Sequence, residues 1–370
     1  MQLLGALPNQ LLSPISDIVS KVQIQANFCI SHPDYNPLEL SAEVVASLQQ
    51  LPSDIQNKYL NLQLRTFLYG IYYNGDLKET LAMSTNLDSL ESEENLENNT
   101  IRGLNRDFYE GLQKSNCGKG YFDLGWRVLR QESDDVLAVQ KDNLTLYVEG
   151  VSVASPQETC YPQFTQQPAT VGDTVAVKMP SNLLEQEFYV AVGDAGLMDS
   201  YEEEATQTVN IYFNFSSEGA LAVMKSLTQQ LNEISIPFTF KVLYDTDKYY
   251  RYDCGVLQFK RHNYQVVHQV LQSIYIENKS HFRDRLPLFT KPLTLGLSLA
   301  EEPNCKFATQ EDFGMNRCRI IADALLEAWH KGDNSEQGRT LCIHKHFSKS
   351  GIELQHPYLN ANSEDIYFPL

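Results

Sequence analysis

Hydrophobic and polar positions change their spacing twice along the chain. Up to about residue 82 the apolar residues recur as on helices. Ile15, Ile18, Val19 and Val22 follow the helical period. A second run, residues 41–50, puts Val44, Val45 and Leu48 on one side. Ser41 can cap its start, and Glu39 and Glu43 sit near the positive end of its dipole. A third run, residues 53–73, carries Ile55, Tyr59, Leu62, Leu64, Phe67, Leu68 and Ile71, and Asn74-Gly75 ends it in a turn. Residues 1–83 are therefore expected to form a helical N-terminal domain.

Residues 84–100 break this pattern. The segment STNLDSLESEENLENN carries five acids and no base. Such a run reads as an acidic linker or loop, with partner binding as the alternative.

From residue 101 the spacing alternates. A helix over 104–114 leads into SNCGKGYFDLGWRVL, punctuated by Gly118, Gly120 and Gly125 and anchored by Tyr121, Phe122 and Trp126. Short runs with period-two character follow: DVLAVQKD, LTLYVEG, TVAVKMP, EFYVAVGD, TVNIYFNF, FTFKVLYD and CGVLQF. Amphipathic helices are expected over 218–234, 264–276 and 314–331. The chain is thus predicted to be α+β: a helical N-terminal part, then a mixed or antiparallel sheet domain with packed helices over 101–370.

Composition narrows the function. Of 370 residues 42% are hydrophobic and 11% aromatic, enough for a core. Lys and Arg number 29 against 47 Asp and Glu, a net charge of −18. A duplex nucleic acid needs a basic footprint and an anionic membrane attracts one, so neither partner is expected. No run of about 20 apolar residues is present, and the N-terminus lacks the basic and apolar regions of a signal peptide. The cysteines, Cys29, Cys117, Cys160, Cys254, Cys305, Cys318 and Cys342, are odd in number and form no CxxC pair. Reduced thiols in a cytoplasmic protein are expected rather than disulfides or a zinc knuckle.

The strands also suggest where chemistry sits. In TVNIYFNF, Val209, Ile211, Phe213 and Phe215 point one way and Asn210, Tyr212 and Asn214 the other. In FTFKVLYD and TVAVKMP, Lys241 and Lys178 stand opposite apolar rows. A lysine desolvated among apolar neighbours is a candidate base; a lysine on a solvated sheet face is the alternative. Arg251, in YYRYDCG, can hold a phosphate or carboxylate through two hydrogen bonds. Arg317 and Arg319 lie near the start of the helix after Phe313-Gly314, where arginine plus a helix N-terminus makes an anion site. An ion pair of Arg317 with Glu301, Glu302 or Asp312 is the alternative. The HKH run at 344–346 reads as a solvated strand or loop rather than a metal pair, because two ligands need further partners. His262 either reaches a site at a strand end or is an ordinary surface histidine. No phosphate loop, nucleotide-binding glycine motif, GxSxG, HExxH or kinase motif is present.

The segments NCGKGYFDLGWRV, VAVKMP…FYVAVGDAG, VNIYFNF…GALAVMKSLTQQLN, IPFTFKVLYD…YYRYDCGVLQF, PLFTKPLTLGLSLAEEPN and FGMNRCRIIADALLEAW occur in this order. Together, over roughly residues 100–335, they resemble the HopA-family, type III effector-like domain of bacteria. That family is similar to the phosphothreonine lyases. Some bacterial members act in the biosynthesis of ribosomal peptides of the lanthipeptide and thioamitide kinds. The resemblance implies β-elimination of phosphate from phosphoserine or phosphothreonine of a precursor peptide, leaving dehydroalanine or dehydrobutyrine. A separate kinase would supply the phosphorylated peptide, and no cofactor or metal is required.

By the same resemblance Lys241 is the base, Arg251 holds the phosphate and Arg317 resembles a second phosphate-binding arginine. Lys178 is the cation expected beside the carbanion's carbonyl. Two positions depart from the pattern. Pro180 follows Lys178-Met179 where the lyases carry a histidine acid, and Asn210 stands where HopA-like domains often have arginine. The proton donor is therefore left to Tyr212 or His262. The alternative function is a non-catalytic peptide- or protein-binding effector or scaffold that partners a kinase.

Overall fold

The computed structural model describes residues 8–83, 105–133, 136–149, 153–154, 169–198, 207–308 and 311–370. The acidic segment 84–100 and Cys160 lie outside the described residues. The N-terminal part holds α1 (Asn9–Lys21), β1 (Gln23–Ile24), β2 (Ile30–His32), β3 (Tyr35–Leu38), α2 (Ala42–Gln49), α3 (Ser53–Leu68) and α4 (Leu77–Thr80). A π-helical turn, Tyr69–Tyr73, continues α3. The helices fall where the apolar spacing puts them. The three-stranded antiparallel sheet β1-β2-β3 is a correction to the all-helical reading of this part. Its strands are two to four residues long, too short to display a period, and Phe28 takes a positive φ of 62° between the first two.

After α5 (Arg106–Ser115) come β4 (Phe122–Ser133), β5 (Val136–Lys141), β6 (Leu144–Glu149), β7 (Val153–Ala154) and β8 (Thr174–Lys178). They form an antiparallel sheet in the order β6-β5-β4-β8-β7. Its small core of Trp126, Val128, Leu137, Val139, Val175 and Val177 is separate from the main one. β4 was not legible as a strand. Its register shifts against both neighbours break the alternation, and Gly125 sits at a positive φ of 85° within it.

The second large sheet comprises β9 (Asn182–Leu184), β10 (Phe188–Val192), β11 (Thr208–Phe213), β12 (Phe238–Leu243), β13 (Gly255–Lys260), β14 (Lys291–Thr294) and β15 (Leu297–Glu301). Its order is β14-β15-β11-β13-β12-β10-β9, antiparallel throughout. With it go α6 (Ser217–Glu233), α7 (Tyr264–Asn278), α8 (Phe313–His330) and α9 (Glu336–Lys349). The α+β expectation holds.

One hydrophobic core joins Leu11, Leu64 and Phe67 of the N-terminal helices to Phe213, Phe240 and Phe259 of this sheet and to Ile321 and Ile343 of α8 and α9. Arg339 of α9, buried at 5% exposure, donates to the carbonyls of Val19 and Val22 at the end of α1. It thereby satisfies two of the acceptors that a helix C-terminus leaves open. No helix among the described residues is long and apolar enough to cross a membrane.

One close approach between the N-terminal part and α8 is made at a glycine. A Cβ built on Gly314 would meet Tyr73 Cε1 at 2.3 Å. Tyr73 is 1% exposed and its ring is tilted against Phe313 and edge-on to Tyr212, so the added methyl must push the ring or the helix aside. Gly314→Ala should therefore destabilise the protein by about 1–3 kcal/mol through overpacking. Urea unfolding measures this, and an unchanged midpoint would contradict the packing described.

Candidate functional site

Strand register builds the floor of the main cleft. Lys241 pairs with Val256 and Val256 with Tyr212, so these three share one row and one face. The next row is Thr239, Gln258 and Asn210. The alternate positions, Phe238, Phe240, Leu257, Phe259, Val209 and Ile211, are fully buried in the core shared with α6 and α7. A one-residue slip would exchange the two faces. The polar row is tied together: Thr239 Oγ1 donates to Gln258 Oε1 at 3.2 Å, and Gln258 Nε2 to Asn210 Oδ1 at 3.0 Å. Asn210 Nδ2 then donates to Glu302 Oε2 at 2.6 Å.

Over this floor lies a cleft of about 430 Å³. The N-terminal part supplies one wall: Tyr69, Tyr73, Asn74 and Asp76. The turn between β9 and β10 supplies Glu185 and Glu187, and Arg251 and Asp253 come from the loop between β12 and β13. Glu302, Lys306, Glu311 and Asp312 close the far side. Lys241, Tyr212 and Arg251 are thus brought together as the sequence led us to expect.

Their partners were not expected. Lys241 Nζ sits on both oxygens of Glu185, at 2.9 and 2.8 Å. Phe238 and Phe240 do not wall it, because they occupy the opposite face. Arg251, 4% exposed, binds both oxygens of Asp253, at 2.8 and 2.9 Å. Its remaining Nη1 donates to Glu187 Oε2 at 3.0 Å. Burial opposes the charge of this guanidinium, but Asp253 raises its pKa above the usual arginine range. Burial also acts to raise Glu187, yet the hydrogen bond from Lys248 and the charge of Arg251 hold its carboxyl below the usual range. Lys306 pairs with Glu302.

Tyr212 is 5% exposed, and burial, then the charge of Glu302, pushes its phenol well above the ordinary value. Its ring packs edge-on to Tyr73 at 6.2 Å and tilts against Phe313 at 6.4 Å. It is a neutral hydroxyl at physiological pH and so a proton donor.

Four expected residues are not in the cleft. Lys178 ends β8 in the other large sheet, where it donates to the Gly120 carbonyl at 3.2 Å and covers the Phe122 ring at 5.0 Å. His262 is exposed in the 3₁₀ turn Arg261–Asn263, at the end of β13 remote from Arg251. Arg317, 1% exposed, donates to the carbonyls of Pro357 and Leu359 and to Asn316 Oδ1. It therefore pins the C-terminal segment instead of pairing with an acid, and burial pushes its guanidinium down to about 10. Arg319 stacks on Phe307 at 4.0 Å and lies 3.8 Å from Glu311.

The HKH run is helical, within α9, a correction to its reading as strand or loop. Lys345 and His346 both meet Glu327 of α8. Among the described residues one group has metal-ligand geometry, Asp17, His32 and Asp34. Lys21 already lies 2.7 Å from both carboxylates, so the group is an ion-pair network. Burial pushes the Cys254 thiol up to about 12, which makes it unreactive.

Sequence reasoning missed the acids of the cleft and its whole N-terminal wall. For Asp253 a signal existed: it stands two residues from Arg251 in YYRYDCG. Asp76 and Tyr69 carried none, because only the tertiary fold brings the end of α3 over the sheet.

Asp312 yields a test. It caps α8 by accepting from Met315 N at 2.7 Å and accepts from Tyr69 Oη at 3.0 Å. Desolvation among the cleft walls, then the charges of Asp253 and Glu302, raise its pKa, although both hydrogen bonds oppose this and the residue keeps an exposed edge. A carboxyl raised on folding contributes most below its unfolded value and loses that contribution as pH rises through the folded one. Asp312→Asn keeps a capping acceptor. The variant's stability relative to wild type should therefore increase as pH is raised from about 4 to about 7. Melting curves at several pH values check this, and a pH-independent difference would refute it.

The comparisons with known proteins bear on this site. The family model of the HopA1 effector protein family matches residues 179–359. Among curated proteins none matches significantly. The solved structures matched include the effector protein from Pseudomonas syringae pv. syringae strain 61, at 12% identity, covering 69% of this chain and 81% of that one with a TM-score of 0.39. The effector protein from Pseudomonas syringae pv. tomato strain DC3000 matches at 16% identity with the same coverages, 69% and 81%, and a TM-score of 0.40. The matched stretch contains every residue of the cleft except Tyr69, Tyr73, Asn74 and Asp76. Over residues 179–359, the part that builds the sheet and α8, the chain is a match to the HopA1 effector protein family.

Proposed function

We propose that the cleft eliminates phosphate from a phosphoserine or phosphothreonine residue of a peptide. The observation that supports this most is that Lys241, Arg251 and Tyr212 open into one cavity over a single sheet face. In this reading the phosphate takes the place of Glu187 on Arg251, since a guanidinium edge suits a dianion. Lys241, freed from Glu185, removes the proton from Cα with the lone pair of its Nζ. The Cα–H electron pair forms the Cα=Cβ double bond, the Cβ–O bond breaks, and its electrons leave on the phosphate. The Tyr212 hydroxyl donates a proton to that oxygen. The products are the dehydroamino acid and inorganic phosphate. Every group in this scheme is a side chain of the chain itself. A separate kinase in the same cytoplasmic compartment would supply the phosphorylated peptide.

A second reading has a specific observation behind it. Lys178 lies in the other sheet, and each cation lining the cleft, Lys241, Arg251 and Lys306, is matched by a carboxylate. That arrangement also suits a non-catalytic module that binds a peptide and partners a kinase.

Mass spectrometry of a phosphothreonine peptide incubated with the protein separates them. Elimination removes about 98 Da by general-base chemistry at Cα. Lys241→Ala should abolish this loss while phosphopeptide binding survives. Tyr212→Phe should slow it by about 10²-fold or more. Binding without any mass loss in wild type would support the binding module, and full turnover by Lys241→Ala would refute the assignment of the base.

A further inference from the structure

The two cations given roles in the proposed chemistry are occupied by carboxylates from the same three-residue turn. Glu185 holds Lys241 through both oxygens, and Glu187 bridges Arg251 and Lys248. We propose that this turn, residues 185–187, is a built-in anion that guards the cleft and admits only a ligand able to displace it, a phosphomonoester dianion. The inference rests on the reading of the cleft as a phosphate site and names how that site selects its ligand.

The contacts of Arg251 divide into fixed and exchangeable ones. Asp253 grips Nε and Nη2, and its side chain is only 6% exposed. It orients the guanidinium and has no room to leave. Glu187 meets the remaining Nη1 from a side chain 37% exposed. Glu185 is 45% exposed, and it is the only carboxylate on Lys241 among the described residues.

The main chain of the turn is fixed. Glu185 N donates to the Phe188 carbonyl at 3.0 Å, Tyr244 N donates to the Glu187 carbonyl at 3.3 Å, and the Tyr244 hydroxyl bonds the Gln186 carbonyl. The two side chains can therefore swing toward solvent without unfolding the hairpin. What they vacate is two lysines, Lys241 and Lys248, and the Nη1 edge of Arg251.

Charge decides what replaces them. A monoanionic carboxylate exchanging for Glu187 gains no charge interaction over the one it displaces. A phosphomonoester at pH 7 carries about −1.5 to −2 and three acceptor oxygens, so it can bridge Arg251 and Lys248, the two cations that Glu187 joins, while Lys241, released by Glu185, is left to act as the base. The guard thus rejects ordinary acidic side chains, which matters for a site that must distinguish a phosphorylated residue from Asp or Glu.

The test is calorimetric titration of inorganic phosphate and of acetate into wild type, Glu185→Gln, Glu187→Gln, the double variant and Asp76→Asn. Asp76 lines the same cleft but makes no ion pair among the described residues, so it reports only the general effect of removing a negative charge. The double variant should bind phosphate about tenfold or more tighter than wild type, and should begin to bind acetate, as expected when close charge pairs are released. Asp76→Asn should tighten phosphate binding by clearly less than the double variant, since Asp76 acts on Arg251 and Lys248 through space without pairing with either.

Equal shifts in the double variant and Asp76→Asn would overturn the guard, as would failure of phosphate to bind any variant. The elimination assay keeps the two readings apart. Tightened phosphate binding without elimination upholds the guard and rejects the lyase. Elimination with unaltered phosphate affinity rejects the guard and upholds the lyase.

Discussion

The pairing register of the seven-stranded sheet is the constraint on which the rest depends. Side chains alternate along each strand, so a register that buries Phe240, Leu257 and Ile211 necessarily presents Lys241, Gln258, Asn210 and Tyr212 on the other face. Core and site are two sides of one arrangement. Burying the large aromatic rings is worth several times more than any single polar contact across the cleft. The hydrophobic face therefore selects the register, and the polar row follows from it.

The second constraint is the lid over that polar row. Tyr73, from the π-helical end of α3, packs on Gly314 of α8 and against Tyr212 of the sheet. This contact joins the N-terminal helices to the sheet in one core and turns an open sheet face into a cleft. A π-turn shifts side chains relative to a regular helix, and such turns recur at functional sites. Here Tyr69 and Tyr73 face the cleft, and Tyr72 turns the other way to Asp17 and His32.

The electrostatics of the cleft follow from its walls. Acids outnumber cations on its surface, and each cation that lines it is matched by a carboxylate. Arg251 is held by Asp253, which orients it and takes two of its five N–H donors. Asn210 passes a donor to Glu302, which also holds Lys306, so the far end of the floor offers no unpaired cation among the described residues. A phosphate would therefore settle toward β12 and the loop after it.

Local spacing was enough to read the strands that carry Lys241 and Tyr212, the amphipathic helices behind them, the α+β class and the faces on which these residues lie. Period-two and helical patterns are properties of neighbouring residues, and they survive into the fold wherever one face is buried. Segments where local order is broken were not legible: the bulged β4 and the minimal strands β1 to β3; the regular helix α9 escaped as well, its HKH run reading as strand or loop. Nor could spacing place the arginines. Arg251 and Arg317 look alike as buried guanidinium groups near acids in the chain, yet one opens into the cleft and the other binds the carbonyls of Pro357 and Leu359. The difference lies in which remote segment packs against each. A chain encodes its periodicities locally, but it encodes the partners of a buried charge only through contacts between residues far apart in sequence, and those exist only once the tertiary structure has formed.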